Sequence, residues 1–169
     1  MANTYQLIKS TILTTTTSEV IFNSIPATYR DLLLKVSARG TGTNTELSIQ
    51  FNSDTGANYP FRRIYGDGSG LSQSSNTTTR VVNNMLNQTN YTANTFGNGE
   101  FYIAAYASNA YKVISADGTT ENNNTGSFIM MTANQWSSSS AVHTIRLYDD
   151  DGGSFVQHSS FYLYGIKNS

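Results

Sequence analysis

Short runs of alternating polar and apolar residues, cut apart by turn-forming segments, recur along the whole chain, and no stretch carries a helical period. The clearest run is TELSIQFN, where Leu47, Ile49 and Phe51 alternate with Glu46, Ser48, Gln50 and Asn52, the pattern of a strand with one dry and one wet face. YQLIKSTIL, SEVIFNSI, DLLLKVSAR, YPFRRIYG, EFYIAAYA, YKVISA, GSFIMMTA, AVHTIRLYD and SFYLYGI supply the others. GTGTN, NSDTGAN, GDGSGLSQSSNTTT, ADGTTENNNTG and DDDGGS separate them, each rich in residues that favour turns. Short strands at this spacing, without the long crossovers a parallel sheet requires, predict an all-β protein: an antiparallel β-sandwich of jelly-roll type. Residues 67–99 give the weakest pattern and read as an ordered excursion with one strand near Arg80 to Leu86.

At 169 residues the chain reads as one domain, residues 1–169, with no repeat and no linker. Charged residues are only 12% of it, about half the usual share. Asn, Ser and Thr number 18, 21 and 22, while aromatics reach 12%, too many for a disordered segment. A net charge of −1 argues against nucleic acid and anionic membrane as partners, since neutralising phosphates takes a basic surface. There is no cysteine, hence neither disulfide nor thiolate metal site. The first ten residues lack a basic start followed by a long apolar run, so synthesis in the cytoplasm is expected.

Three strands are apolar on both parities. Phe101, Ile103 and Ala105 alternate with Tyr102, Ala104 and Tyr106; Phe128 and Met130 with Ile129 and Met131; Phe161 and Leu163 with Tyr162, Tyr164 and Ile166. A two-sheet sandwich buries only the inner face of each sheet. The outer set, Tyr102, Tyr106, Ile129, Met131, Tyr162 and Tyr164, is therefore the candidate interface, to be covered by a loop such as 67–99 or by another subunit. Scattered apolar surface on strands is the competing reading. The last strand, Phe161 to Ile166, is expected in the middle of a sheet with Leu163 on its inner side.

Candidate chemical sites are sparse. Asp149, Asp150 and Asp151 precede two glycines, but their spacing lacks the alternate ligands of a calcium loop, and an Asp-Gly hairpin turn accounts for them. YGDGSG also reads as a turn, since no helix follows to hold a phosphate. His143 and His158 lack a marker of an activated serine, and Glu19, Glu46, Glu100 and Glu121 show no sign of a catalytic pair. Arg62 and Arg63 must face opposite sides of a strand; the inward one needs a carboxylate, with Asp117 or Glu121 as candidates. Trp136 reads as a core anchor, with sugar stacking as the alternative. Asn-X-Ser/Thr triplets at Asn76, Asn87, Asn90 and Asn123 are about what this composition gives by chance. No catalytic, cofactor or metal residue is assigned, and the chain is expected not to be an enzyme.

The succession YQLI, SIPATYRDLLLKVSAR, SIQFNSDTGANYPFRRIYGDGS, TANTFGNGEFYI and QHSSFYLYGIK resembles small β-rich proteins encoded by tailed bacteriophages, particularly those of marine bacteria. The similarity spans almost the whole chain, with FNSDTGANY and LYGIK its most specific stretches. The resemblance implies a virion structural protein without a catalytic motif: a capsid decoration or cement protein, or a tail- or fibre-associated protein with a glycan- or receptor-binding sandwich. Neither heptads nor shaft repeats favour a long fibre. The expected partners are further copies of the chain, as a homotrimer, then the phage major capsid protein or other virion proteins, and surface glycans. The expected location is the virion, assembled in the host cytoplasm and released by lysis.

Overall fold

The structure, a computed structural model, describes residues 4–123 and 127–167. Twelve strands and no helix occur among them, in two antiparallel sheets that face each other as a β-sandwich. The strands are β1 (Tyr5–Ile12), β2 (Glu19–Phe22), β3 (Asp31–Ala38), β4 (Glu46–Phe51), β5 (Tyr59–Gly66), β6 (Leu71–Thr78), β7 (Val81–Asn84), β8 (Gly97–Ala104), β9 (Lys112–Thr119), β10 (Ile129–Trp136), β11 (Ile145–Asp149) and β12 (Ser160–Ile166). The wide sheet has the order β1-β12-β3-β8-β9-β10-β5-β6 and the narrow one β2-β11-β4-β7. The first five strands alternate between the sheets, and β12 lies between β1 and β3 as β11 lies between β2 and β4, the wrapping of a jelly roll.

The core forms from one parity of each strand. Leu32, Leu34, Phe101, Ile103, Ile114, Phe161 and Leu163 of the wide sheet meet Phe22, Leu47, Ile49, Phe51, Ile145 and Leu147 of the narrow one, all buried. The strand Phe161 to Ile166 is thus internal to its sheet, with Leu163 inward as its parity predicts. Trp136 is a core anchor: its ring packs edge-on to Phe51 and stacked on Tyr59, and its Nε1 donates to Asp54 Oδ2 at 2.7 Å. The fully buried Lys112 donates to the carbonyls of Ser108, Ala110 and Ser138, and its ammonium lies over the Trp136 ring.

Four readings of the sequence are corrected. TELSIQFN has no wet face, because every residue of β4 is buried. Arg80 and Arg146 fold across its outer side, where Glu46 accepts from Arg80 at 3.0 Å and Gln50 from Arg146 at 3.0 Å. The inward arginine is Arg63, but it reaches Glu46 at 3.4 Å and Asn84 at 3.0 Å rather than Asp117 or Glu121. Residues 67–99 hold β6 and the start of β8 besides the expected β7.

The segment after Asp149 makes no hairpin, since β11 and β12 belong to different sheets. Its aspartates instead hold the 40–45 loop. Asp151 Oδ2 accepts from the backbone N–H groups of Thr43 at 2.6 Å and Asn44 at 3.1 Å, and Asp149 Oδ2 from that of Gly42 at 3.3 Å.

The piece from Met85 to Phe96 is held by Asn87, which bonds to Thr95 and to the backbone of Glu121, and by Arg39. The Arg39 guanidinium donates to the carbonyls of Thr92 at 2.8 Å, Thr95 at 3.2 Å and Tyr91 at 3.2 Å. The Met85 backbone runs so close to β8 that a Cβ on Gly97 would stand 1.6 Å from the Met85 carbonyl oxygen, which is why that strand opens on glycine.

Candidate functional site

Strand parity, fixed by the core, decides what the wide sheet shows to solvent. Cross-strand register places Leu7, Tyr164, Leu33, Tyr102, Ser115, Ala133 and Arg62 in one row across its outer face. The next row reads Tyr162, Lys35, Glu100, Asp117, Met131, Ile64 and Gln73, and a third runs from Ser160 through Ser37, Asn98, Thr119 and Ile129 to Gly66 and Leu71. Five of the six candidate interface residues, Tyr102, Ile129, Met131, Tyr162 and Tyr164, therefore share this one face.

Tyr106 does not join them. It is completely buried, its hydroxyl donating to the Pro26 carbonyl and accepting from the Tyr29 N–H at 3.4 Å. Regular alternation ends at Ala104, and Ala105 takes a left-handed φ of 46° that rotates the next side chain inward. The loop that was a possible cover leaves the outer face free as well: it supplies β6 at the edge of the sheet rather than a flap across it.

The face has three zones. Around β10, β5 and β6 lies an aliphatic cluster: Ile64 is 49% exposed, Met131 61%, Ile129 69% and Leu71 80%. Met131 and Ile64 are direct cross-strand partners, and Gly66 stands between Ile129 and Leu71 without a side chain to separate them. In the middle runs a charged band, with Lys35 Nζ 2.5 Å from Glu100 and Glu100 directly opposite Asp117. The Glu100 hydrogen bond holds the Lys35 ammonium above its ordinary pKa; desolvation first, then the Glu100 charge, raises the Asp117 carboxyl. Beyond the band stand Tyr162 and Tyr164, half-buried, and Tyr102, whose hydroxyl donates to Asp31 Oδ2 at 2.6 Å. That bond pushes the Tyr102 phenol up to about 12 and leaves the ring edge, not the hydroxyl, for contact.

Two further groups of titratable residues lie elsewhere. Glu46, Arg63, Arg80 and Asp150 form a cluster that ties β4 and β5, one strand from each sheet, to the β6–β7 connection and to the segment after β11. Burial, then the Asp150 charge, pushes the Glu46 carboxyl above its usual range against the pull of both arginines. Asp149 is 1% exposed, and its Oδ1 meets no donor. Burial and the hydrogen-bonded carboxylate of Asp151 raise it to about 7, while the Thr43 N–H holds Asp151 at about 2. A protonated Asp149 donating to Asp151 satisfies both. Among the described residues no group of three or more His, Asp or Glu side chains could hold a metal ion. The His143 ring Nδ1 lies 3.1 Å from the Thr144 hydroxyl, with no carboxylate in that contact.

Sequence parity found most of the face but missed Ile64 and Leu71. Leu71 sits in the turn-like string GDGSGLSQ, and only the pairing of β6 with β5 brings it beside Ile129.

No protein-family model matches the chain and no curated protein is significantly similar to it. Among solved structures, the crystal structure of the Caenorhabditis elegans galectin LEC-6 aligns at a TM-score of 0.41 and 12% identity, over 91% of this chain and 94% of that one. A likeness so distant has no bearing on function, and the chain is described by its fold alone: an antiparallel β-sandwich.

Proposed function

We propose that this protein is a non-enzymatic structural component of a bacteriophage particle, a capsid decoration or cement protein that assembles through the outer face of its wide sheet. The observation that carries the reading is the aliphatic cluster of Ile64, Leu71, Ile129 and Met131. Four large apolar side chains, each about half or more exposed and adjacent across three strands, favour a protein partner over water. The resemblance to tailed-phage proteins supplies the setting, in which the partners are further copies, as a homotrimer, and the major capsid protein. The test is to compare wild type and Met131→Glu for solution mass and for binding to purified heads that lack the protein. The charge should leave melting within about 1 kcal/mol, as is usual at an exposed site, and should abolish head binding. Equal binding by both proteins would refute the reading.

A second reading has its own observation. The band of Lys35, Ser37, Asn98, Glu100, Asp117 and Thr119 beside Tyr162 and Tyr164 sets hydrogen-bonding groups next to aromatic rings, the chemistry of a glycan surface on a tail- or fibre-associated protein. Tyr164→Ser should then abolish binding to host surface polysaccharide while Met131→Glu does not.

A further inference from the structure

The two sheets have four edges, and three are blunted. β2 is only four residues long. β7 turns its backbone to the neighbouring sheet, where Asn134 Oδ1 accepts from the Val82 N–H at 3.2 Å. β1 is broken by a bulge between Leu7 and Lys9 and carries that lysine. Such devices keep sheets from pairing with other chains. β6 has none of them: LSQSSNTT is eight residues long, uncharged, without proline or bulge, and exposed or half-exposed throughout. Among the described residues no strand pairs with its far side.

Register fixes which backbone groups are free. Pro60, which has no N–H, lies opposite Thr77, so Pro60–Thr77 is a non-hydrogen-bonded pair of the β5–β6 ladder. Alternation then turns the N–H and C=O of Leu71, Gln73, Ser75 and Thr77 outward. The Thr77 N–H is occupied locally by Asn76 Oδ1 at 2.8 Å. We infer that β6 pairs antiparallel with β6 of a second copy, joining two wide sheets into one continuous sheet across a two-fold axis.

The occupant follows from self-complementarity. In an antiparallel self-pairing the outward residues must oppose one another, which sets Leu71 against Thr77 and Gln73 against Ser75 of the partner and puts Ser74 on the axis. No charge faces a like charge, whereas β1 paired with itself would bring its lysines together. The pairing supplies about eight backbone hydrogen bonds once Asn76 releases Thr77, and it is isologous, so it closes at two copies. It uses the edge of the sheet and leaves its outer face free, so that together with a three-fold contact through that face it closes at six copies.

The chain has no cysteine, so single cysteines report the register. Residues opposite each other at a non-hydrogen-bonded position lie about 4.5 Å apart at Cα, within disulfide reach. Ser74→Cys should therefore give a covalent dimer on mild oxidation. Asn76→Cys should not, because residue 76 opposes residue 72. No dimer from Ser74→Cys, or equal dimer from both variants, overturns the pairing.

Ser75→Lys, at an exposed outward position, should keep the melting temperature and halve the solution mass of the non-covalent assembly. A wild-type mass that is not a multiple of two subunits, or one that Ser75→Lys leaves unchanged, also overturns it. Head binding lost in Met131→Glu with intact cross-linking in Ser74→Cys separates this contact from the face proposed for the particle.

Discussion

Replacing Asp149 by Asn should make the protein more stable at pH 8 and leave it nearly unchanged near pH 4. In the folded chain Asp149 is buried, its Oδ1 lacks a donor, and its pKa stands at about 7 against an ordinary 3.8. A folded pKa above the unfolded one means that the native state holds the proton more tightly between those two values. The stabilisation is complete below the unfolded pKa and is lost as pH rises through the folded one. A shift of about 3 pH units is worth about 4 kcal/mol at most, or roughly 8–16 °C in melting temperature for a domain of this size. Asp151 acts in the opposite window. Its pKa, lowered to about 2, contributes stability above the ordinary carboxylate pKa that is lost as pH falls toward 2. The pair therefore favours a stability maximum near pH 4.

Asparagine keeps the shape, can still accept from Gly42 and can donate to Asp151 without titrating. Thermal melting of wild type and variant at half-unit steps from pH 4 to pH 8 checks this. The curves should coincide at the acid end and diverge progressively, with the variant higher. Titrating groups that do not touch Asp149 are common to both proteins and cancel in the difference. Parallel curves over the whole range would refute the shared proton, as would a wild type that is the more stable at pH 8.

Leu163→Asp, in the completely buried core position of β12, should prevent folding, while Tyr164→Ser on the outer face should cost about 1 kcal/mol or less; far-ultraviolet circular dichroism and urea melts distinguish them. Glu46→Ala should cost about 1–3 kcal/mol in urea denaturation, because Arg63 and Arg80 lose their shared carboxylate but keep Ser74, Asn84 and Asp150 as partners.

Period-two alternation made the fold legible wherever a strand has a long apolar parity. Phe161 and Leu163 pointed inward and Tyr162 and Tyr164 outward, and the same rule placed Tyr102, Ile129 and Met131 on the outer face. It failed where tertiary contacts override local pattern. Glu46, Ser48 and Gln50 have the spacing of a wet face, but arginines distant in sequence cover them. Tyr106 obeys the parity of its neighbours only until the left-handed turn at Ala105, which nothing in EFYIAAYA announces. β6 was illegible for a different reason: LSQSSNTT has one apolar residue, and a strand exposed on both sides carries no hydrophobic pattern to read. The interface candidates could be found from parity, but their grouping into aliphatic, charged and aromatic zones depends on the strand order, which is a property of the folded chain.

The place of β12 between β1 and β3, and of β11 between β2 and β4, also sets the order in which this chain can acquire its structure. The first four strands find these neighbours only after more than ninety further residues have left the ribosome, so the N-terminal part emerges with strand edges that these neighbours do not yet cover. Ring closure over such distances is slow compared with local hairpin formation. The pairings that need no such closure are β5 with β6 and the run from β8 to β10, whose strands are neighbours in both sequence and space. The last strand to arrive slots into a gap between two strands made near the beginning. A nascent chain stalled before Ser160 should be protease-sensitive in β1 and β3, because the strand that fills the place between them has not yet been made.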